Sequence, residues 1–512
     1  MMKSPLWLET SSIPKFPTLD QELTVDICLV GAGITGITLA YLLKDTPLKI
    51  ALIDSDEFLH GSTAYTTAKL TAQHDLIYAT MIKNYGLDQA KYYAQAQRQA
   101  IQFVRKTCEQ LNIDCHLETL PAYLYTDDDQ QVQNLVDEFE AAKQIEFDCD
   151  LLDELDLPFP VKKALVYHEQ AQYHPLHFLT GLLQEVMTAS NMNLYANTPA
   201  RDLRLNDNGT YSVLTDTNFS IHAKKVVQCC HFPFYDDLSL LFARAEIDHS
   251  YLMAIEKAHP FPKGMYLSVD SDSHTIRTYD SLLIVGGESH RPGTVVDTNQ
   301  NYQKIKDFAK TYFHSDKVVY EWSTQDYVTS DQIPYIGRLH ADNDSLYVAT
   351  GYCKWGMSNG IVAALLLADL IQEKENPWAS LFAPSRFNLK AQFKELLKNN
   401  AEVAFEYIKG KLKKGDKSLY GDKSLYLDVD EATIIQTDHG KYGVYKDQDG
   451  NLYTLDITCP HMGCELVFNT AEKTWDCPCH GSRFSYRGEV IEGPAHTPLS
   501  SHKNHIDPNV FN

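Results

Sequence analysis

The sequence predicts an α/β domain followed by an all-β domain. Three observations carry this: a strand, glycine turn and helix near residue 30; a second such unit over 345–372; and short strand-like runs separated by turn residues beyond Ser424. A chain of 512 residues is also too long for one ordinary core and divides into domains.

The first unit opens with the apolar run Val25–Val30, which reads as a strand. It runs into Gly31-Ala-Gly33-Ile-Thr-Gly36 and an apolar helix ending near Leu43. A second apolar run, Leu48–Ile53, ends in Asp54 and completes a βαβ pattern. Glycines at this spacing let the backbone approach a pyrophosphate held at the positive end of the helix, and a carboxylate roughly 20 residues on suits a ribose hydroxyl. These residues fit FAD and NAD equally. The second unit is a strand over Ser345–Thr350, the turn Gly351-Tyr-Cys-Lys-Trp-Gly356 and a helix from about Ser358 to Gln372.

Between Arg386 and Lys414, Leu389, Phe393, Leu396, Leu397, Phe405, Ile408 and Leu412 recur at helical spacing among lysines. Such a helix can pack against a neighbouring domain or lie on an anionic membrane surface, which would make any membrane contact peripheral. The hexapeptide Gly-Asp-Lys-Ser-Leu-Tyr then occurs twice, at Gly415–Tyr420 and Gly421–Tyr426, a duplication that exposed linkers tolerate. The domains are therefore placed at 20–385 and 425–512, with a helical linker at 386–424. Past the linker, Asp449-Gly450-Asn451 separates two short strands and marks a hairpin.

A net charge of -23 argues against nucleic acid as a partner. Residues 1–20 show neither an apolar signal segment nor a cleavage pattern, and the most apolar stretch, Ile361–Ile371, is too short to span a bilayer; the expectation is a cytoplasmic protein with reduced thiols. Most of the 11 cysteines are scattered, but Cys459, Cys464, Cys477 and Cys479 crowd together with His461 and His480.

That segment has the spacing C-x-H at Cys459 and His461, 15 intervening residues, then C-x2-H at Cys477 and His480. Two thiolates and two imidazoles suit a [2Fe-2S] centre with mixed ligands, and they also describe a zinc site. A zinc finger would place its histidines together on a helix, which this spacing does not. The boxes Cys459-Pro-His-Met-Gly-Cys464 and Cys477-Pro-Cys-His-Gly-Ser482, with Gly488-Glu-Val-Ile-Glu-Gly-Pro-Ala495 and Pro498-Leu499 after them, resemble those of Rieske proteins. The resemblance implies that Cys459, His461, Cys477 and His480 ligate the cluster. It further implies that Cys464 and Cys479 form a disulfide between the cluster loops, free thiols being the alternative. Ser482 matches a hydroxyl that hydrogen-bonds the cluster, and Phe484 stands where high-potential members have a tyrosine.

The first βαβ unit, Gly61-Ser62-Thr63, Gln172-Tyr-His-Pro175 and the segment 351–360 resemble the D-amino-acid oxidase and glycine oxidase superfamily over most of residues 20–385. The resemblance implies an α/β FAD-binding Rossmann-like domain with an inserted α+β substrate domain, followed by an all-β Rieske domain. FAD contacts then fall to Gly31, Gly33, Gly36, Asp54, Gly61, Ser62, Thr63, Gly351, Gly356 and Met357. Relatives that bind flavin covalently carry a histidine where this chain has Tyr65, so FAD is expected to be non-covalent. The combination is similar to bacterial proteins that include relatives of gamma-glutamylputrescine oxidoreductase. It implies oxidation of a small amine or amino acid and electron transfer to an external acceptor, a quinone or a redox protein. An NAD(P)H-driven reductase and a non-enzymatic redox sensor are the alternatives. Lys69, Arg277, Tyr279 and Glu288 are candidates for the substrate pocket, and no catalytic base is named. His168, His174 and His177 lie near one another in sequence, but Pro175 interrupts any helix that would align them on a metal.

Overall fold

The computed structural model describes residues 4–501 apart from 237–238, 296, 387–388, 413–416, 419–426 and 438–439. Two compact units emerge. One comprises Met1–Leu241, Ser250–Ser289 and Lys304–Phe393; the other comprises Phe242–His249, His290–Gln303 and Lys394–Asn512.

In the first unit the strands Leu346–Thr350, Ser220–Gln228, Leu23–Val30, Ile50–Ile53 and Met192–Tyr195 lie side by side and parallel, in that order. Leu346–Thr350 and Ile50–Ile53 are buried along their whole length, which is why they read as apolar runs rather than alternating ones. Tyr335–Arg338 adds an antiparallel edge. The helices Ile34–Leu43 and Gly356–Ile371 are buried almost all round. They approach so closely that a Cβ on Gly360 would lie 2.6 Å from Ile34 Cγ2.

A second sheet of nine strands forms the inserted domain. Its order is Val318–Thr329, Ala245–Glu256, Leu282–His290, His274–Tyr279, Met265–Ser268, Glu118–Thr126, Lys163–Gln172 and Lys69–Leu70, with Cys149–Leu152 also pairing on Lys163–Gln172. The α+β character expected of the insertion is thus present, with Asp129–Gln144 packed on the strands Glu118–Thr126, Cys149–Leu152 and Lys163–Gln172.

The C-terminal domain is all-β. One sheet pairs Ala432–Thr437, Gly440–Lys446 and Leu452–Asp456; the other is the meander Val467–Asn469, Thr474–Asp476, Arg483–Ser485 and Val490–Glu492. The hairpin turn at Asp449-Gly450-Asn451 forms as its sequence requires: Gly450 adopts φ +83°, and the Asp447 carboxylate accepts the amides of Asp449 and Asn451 at 3.0 and 2.7 Å. The helix ahead of this domain runs Leu389–Leu412. Of the duplicated hexapeptide only Lys417 and Ser418 are described, as a short strand beside Ile435 and Gln436; the rest lies outside the described residues.

Candidate functional site

The glycine turn is built by close approach of backbone to backbone. Gly31 has φ +107°, and a Cβ there would sit 2.8 Å from the Cys229 carbonyl. A Cβ on Gly36 would lie 1.9 Å from Gly31 O, so the first turn of the helix folds directly over the turn that precedes it. A Cβ on Gly33 would fall 2.9 Å from Thr63 Oγ1, and that hydroxyl accepts the Ile34 amide at 3.0 Å. Thr63 therefore reaches the helix N-terminus from a separate segment, the short turn Ser62–Tyr65 that follows Gly61. At the end of Ile50–Ile53, the Asp54 carboxylate accepts the Ala32 amide at 2.6 Å and the Asp56 amide at 3.1 Å. Burial raises its pKa above the usual carboxylate value, and these amides oppose the rise. A glycine turn opening a helix N-terminus, a cradle that side chains would fill and a nearby carboxylate together fit a dinucleotide.

The second glycine unit comes to the same sheet. Gly351 adopts φ +71° with a prospective Cβ 2.5 Å from Thr329 Cγ2, whereas one on Gly356 would make only an ordinary contact with Tyr352. Met357, in the first turn of its helix, accepts a hydrogen bond from Tyr173 at 3.4 Å. His74 braces this helix end: its ring stacks on Trp355, and Nε2 lies 2.9 Å from Thr71 O and 2.8 Å from Ser358 Oγ. Burial depresses its pKa to about 3, so the ring is neutral.

Sequence reasoning missed a polar chain attached to Ser62. Its hydroxyl lies 3.0 Å from His231 Nδ1, and His231 Nε2 lies 3.1 Å from Asp326 Oδ1. Asp326 is itself held by the amides of Tyr327 at 2.8 Å and Lys354 at 2.5 Å. The imidazole follows the strand Ser220–Gln228, at the carboxyl ends of the parallel strands, where α/β sheets bind ligands.

Among the substrate-pocket candidates, Lys69 and Arg277 are buried neighbours. Lys69 donates to Tyr266 O at 2.7 Å, and Arg277 to Ala68 O at 2.7 Å and Thr67 O at 3.0 Å. Burial, helped by Arg277, lowers the Lys69 ammonium to about 7, and burial lowers Arg277 to about 9. Tyr279 shares a strand with Arg277, while Glu288 pairs with Lys304 at 2.7 Å. Of the three histidines, His168 stands apart and pairs with Asp150 at 2.9 Å, whereas His174 caps the helix Pro175–Thr188 by accepting the His177 amide and stacks on the His177 ring.

In the C-terminal domain the two cysteine-histidine boxes form loops of the same construction. The amide of Cys459 donates to Cys464 O at 2.7 Å and Gly463 N to Cys459 O at 2.9 Å; the amide of Cys477 donates to Ser482 O at 2.8 Å and Gly481 N to Cys477 O at 3.0 Å. Both glycines take φ +75°. The His461 and His480 rings come within 5.0 Å of each other. The Cys459 and Cys477 thiols are hydrogen-bonded to each other, which lowers the pKa of the first and raises that of the second. The sulfurs of Cys464, Cys477 and Cys479 lie within 4.8 Å of one another, and those of Cys464 and Cys479 are 1.86 Å apart. Ser482 is buried and accepts the Ala495 amide at 2.9 Å; Phe484 is buried beside the loops. Two thiols and two imidazoles presented by paired loops fit a mixed-ligand iron-sulfur cluster.

Comparisons with known proteins match both domains. Residues 26–370 match the FAD dependent oxidoreductase family, and residues 422–503 match the Rieske [2Fe-2S] domain. The chain is 39% identical over 497 residues, 96% of each protein, to YhfW of Bacillus subtilis (strain 168), named provisionally as a Rieske 2Fe-2S iron-sulfur protein. It is 44% identical over 63 residues, 12% of this chain and 27% of the other, to cytochrome b6-f complex iron-sulfur subunit 1 of Nicotiana tabacum. Among solved structures, glycine oxidase from Geobacillus kaustophilus aligns with TM-score 0.60 and 17% identity over 71% of this chain and 99% of that one. L-proline dehydrogenase from P. horikoshii aligns with TM-score 0.58 and 16% identity over 72% and 98%. These structures share the fold, and the Rieske match decides the metal chemistry for iron-sulfur over zinc. The chain belongs to the FAD-dependent oxidoreductase family and carries, after its flavin domain, a Rieske [2Fe-2S] domain.

Proposed function

We propose that this protein oxidises a C-N bond of a small amine or amino acid and sends the electrons through its Rieske cluster to an external acceptor, a quinone or a redox protein. One observation carries the reading: a flavin fold of the glycine oxidase type and a Rieske domain occupy a single chain. When bound, FAD supplies a two-electron acceptor for hydride from the carbon beside nitrogen, and the cluster supplies a one-electron relay. A one-electron relay is superfluous beside a flavin that reacts directly with oxygen, which favours a dehydrogenase over an oxidase. Cys459, His461, Cys477 and His480 hold the cluster, and a Cys464–Cys479 disulfide ties their loops together. FAD is non-covalent, because Tyr65 stands where a linking histidine would. Among the described residues the buried Lys69 ammonium has a carbonyl but no carboxylate for a partner, which supports a substrate bearing a carboxylate, such as an amino acid or a gamma-glutamyl amine. The protein acts in the cytoplasm, with membrane contact at most peripheral; no described helix is long and apolar enough to cross a bilayer.

The test is an anaerobic panel of amines, amino acids, gamma-glutamylputrescine and NADH, followed at flavin and cluster absorbances. The expected result is bleaching of both chromophores by an amine or amino acid. Bleaching by NADH alone would identify a pyridine-nucleotide reductase, and bleaching by none a redox sensor. Stoichiometric peroxide in air without cluster reduction would show an oxidase.

A second outcome concerns potential. Phe484 offers no hydroxyl to the cluster, and a donor to the sulfurs stabilises the more negative reduced form. Phe484→Tyr should raise the midpoint by on the order of 59 mV, equivalent to a tenfold shift of a one-electron couple. A redox titration followed by EPR measures it.

A further inference from the structure

The stretch His290–Gln303 belongs to the same compact unit as the Rieske domain, although more than a hundred residues separate them in sequence. Its far end grips the turn after Val467–Asn469. Thr298 Oγ1 donates to Asn469 Oδ1 at 2.6 Å and accepts the Ala471 amide at 2.9 Å, and the Tyr302 hydroxyl donates to Glu472 at 2.9 Å. Its near end reaches a cluster loop. Arg291 Nε donates to Pro478 O at 2.9 Å, Nη2 donates to Cys479 O at 3.2 Å, and Nη1 donates to Glu402 Oε2 at 3.0 Å. Beside it, Gly293 with φ +73° lies so close that a Cβ would meet Pro478 Cβ at 2.9 Å. Pro478 and Cys479 are the residues between Cys477 and His480.

We propose that Arg291 is a positioning residue for the Rieske centre and sets its reduction potential. The guanidinium fixes the two carbonyls that join a thiolate ligand to an imidazole ligand. It also places a permanent positive charge at that loop. Reduction adds one negative charge to the cluster, so a fixed cation favours the reduced state. Glu402 opposes it, having its carboxylate against the same guanidinium with 44% of its side chain exposed, against 15% for Arg291. The two side chains therefore push the potential in opposite directions.

This inference rests on the assignment of Cys459, His461, Cys477 and His480 as cluster ligands, and the experiment separates the two. Full-length protein loaded with iron and sulfide is titrated by EPR as wild type, Arg291→Gln, Arg291→Lys and Glu402→Gln, with amide exchange measured over residues 477–482. Absence of any reduced-state signal in the wild type would overturn the ligand assignment. Given a wild-type signal, Arg291→Gln should shift the reduction equilibrium about tenfold toward the oxidised form, about 59 mV downward for one electron. Glu402→Gln should shift it upward by less, because solvent screens the more exposed carboxylate. Arg291→Lys should stay near wild type in potential while exchange over the loop quickens. Unshifted potentials in Arg291→Gln and Glu402→Gln, or shifts of the same sign, would reduce Arg291 to a mechanical brace and overturn the proposal. If Arg291→Gln assembles no cluster, the sign of the Glu402→Gln shift decides alone.

Discussion

Gly36→Ala should yield protein that purifies without bound flavin. The added methyl would stand 1.9 Å from Gly31 O and 3.3 Å from Leu52 Cδ1, so the obstruction is backbone and cannot rotate away. The helix Ile34–Leu43 must move off the turn, carrying with it the N-terminal end that would receive a pyrophosphate. Overpacking of this kind costs about 3 kcal/mol, the upper end of the usual range, and a loss of that size in binding is on the order of 100-fold in FAD affinity. Flavin absorbance per protein, with titration of FAD into the stripped sample, measures it; circular dichroism separates lost binding from lost fold.

Asp331→Asn should cost about 3–5 kcal/mol of stability in the flavin unit, the usual loss when one partner of a buried ion pair is removed. Arg386 holds both carboxylate oxygens, Nε to Oδ2 at 3.0 Å and Nη2 to Oδ1 at 2.9 Å, while Tyr85 and Gln392 each donate to Oδ2 at 2.7 Å. The two charged side chains are 7% and 0% exposed, so neutralising one strands the other. Burial by itself would raise the Asp331 pKa, but the Arg386 charge and these donors outweigh it and leave it at about 2. An unfolded aspartate titrates near 3.9, so the folded state binds its proton less readily. Its stabilisation is therefore complete above about pH 4 and is lost as pH falls through about 2. Urea denaturation between pH 3 and pH 7 should show wild-type stability falling toward the acid end and a flatter profile in Asp331→Asn.

What the sequence revealed was what it writes locally. The glycine spacing at 31–36 dictates a turn within six residues, and the paired boxes at 459–464 and 477–482 dictate two loops of like geometry, so both could be read without the fold. Boundaries slipped by a residue or two. The strand begins at Leu23 rather than Val25, and the second helix at Gly356 rather than Ser358, because a tertiary partner carries residues whose own propensity is weak. The chain from Ser62 through His231 to Asp326 spans separations of 169 and 95 residues and leaves no periodic trace. Arg291 was equally hidden, since a lone arginine in a polar stretch looks like any solvated charge. His174 was legible only in part: Pro175 after it argued against a metal site, but that the ring caps the helix Pro175–Thr188 could not be read from the sequence.

Thr298, Tyr302 and Arg291 lend the Rieske domain bonds that its own stretch of chain does not encode. A gene fragment starting at the duplicated hexapeptide would encode every cluster ligand yet lack the Thr298 hydroxyl that bridges Asn469 and the Ala471 amide and the guanidinium on the Pro478 and Cys479 carbonyls. The tail is therefore not a freely interchangeable cassette: one grafted from another protein would need a matching arm from its host.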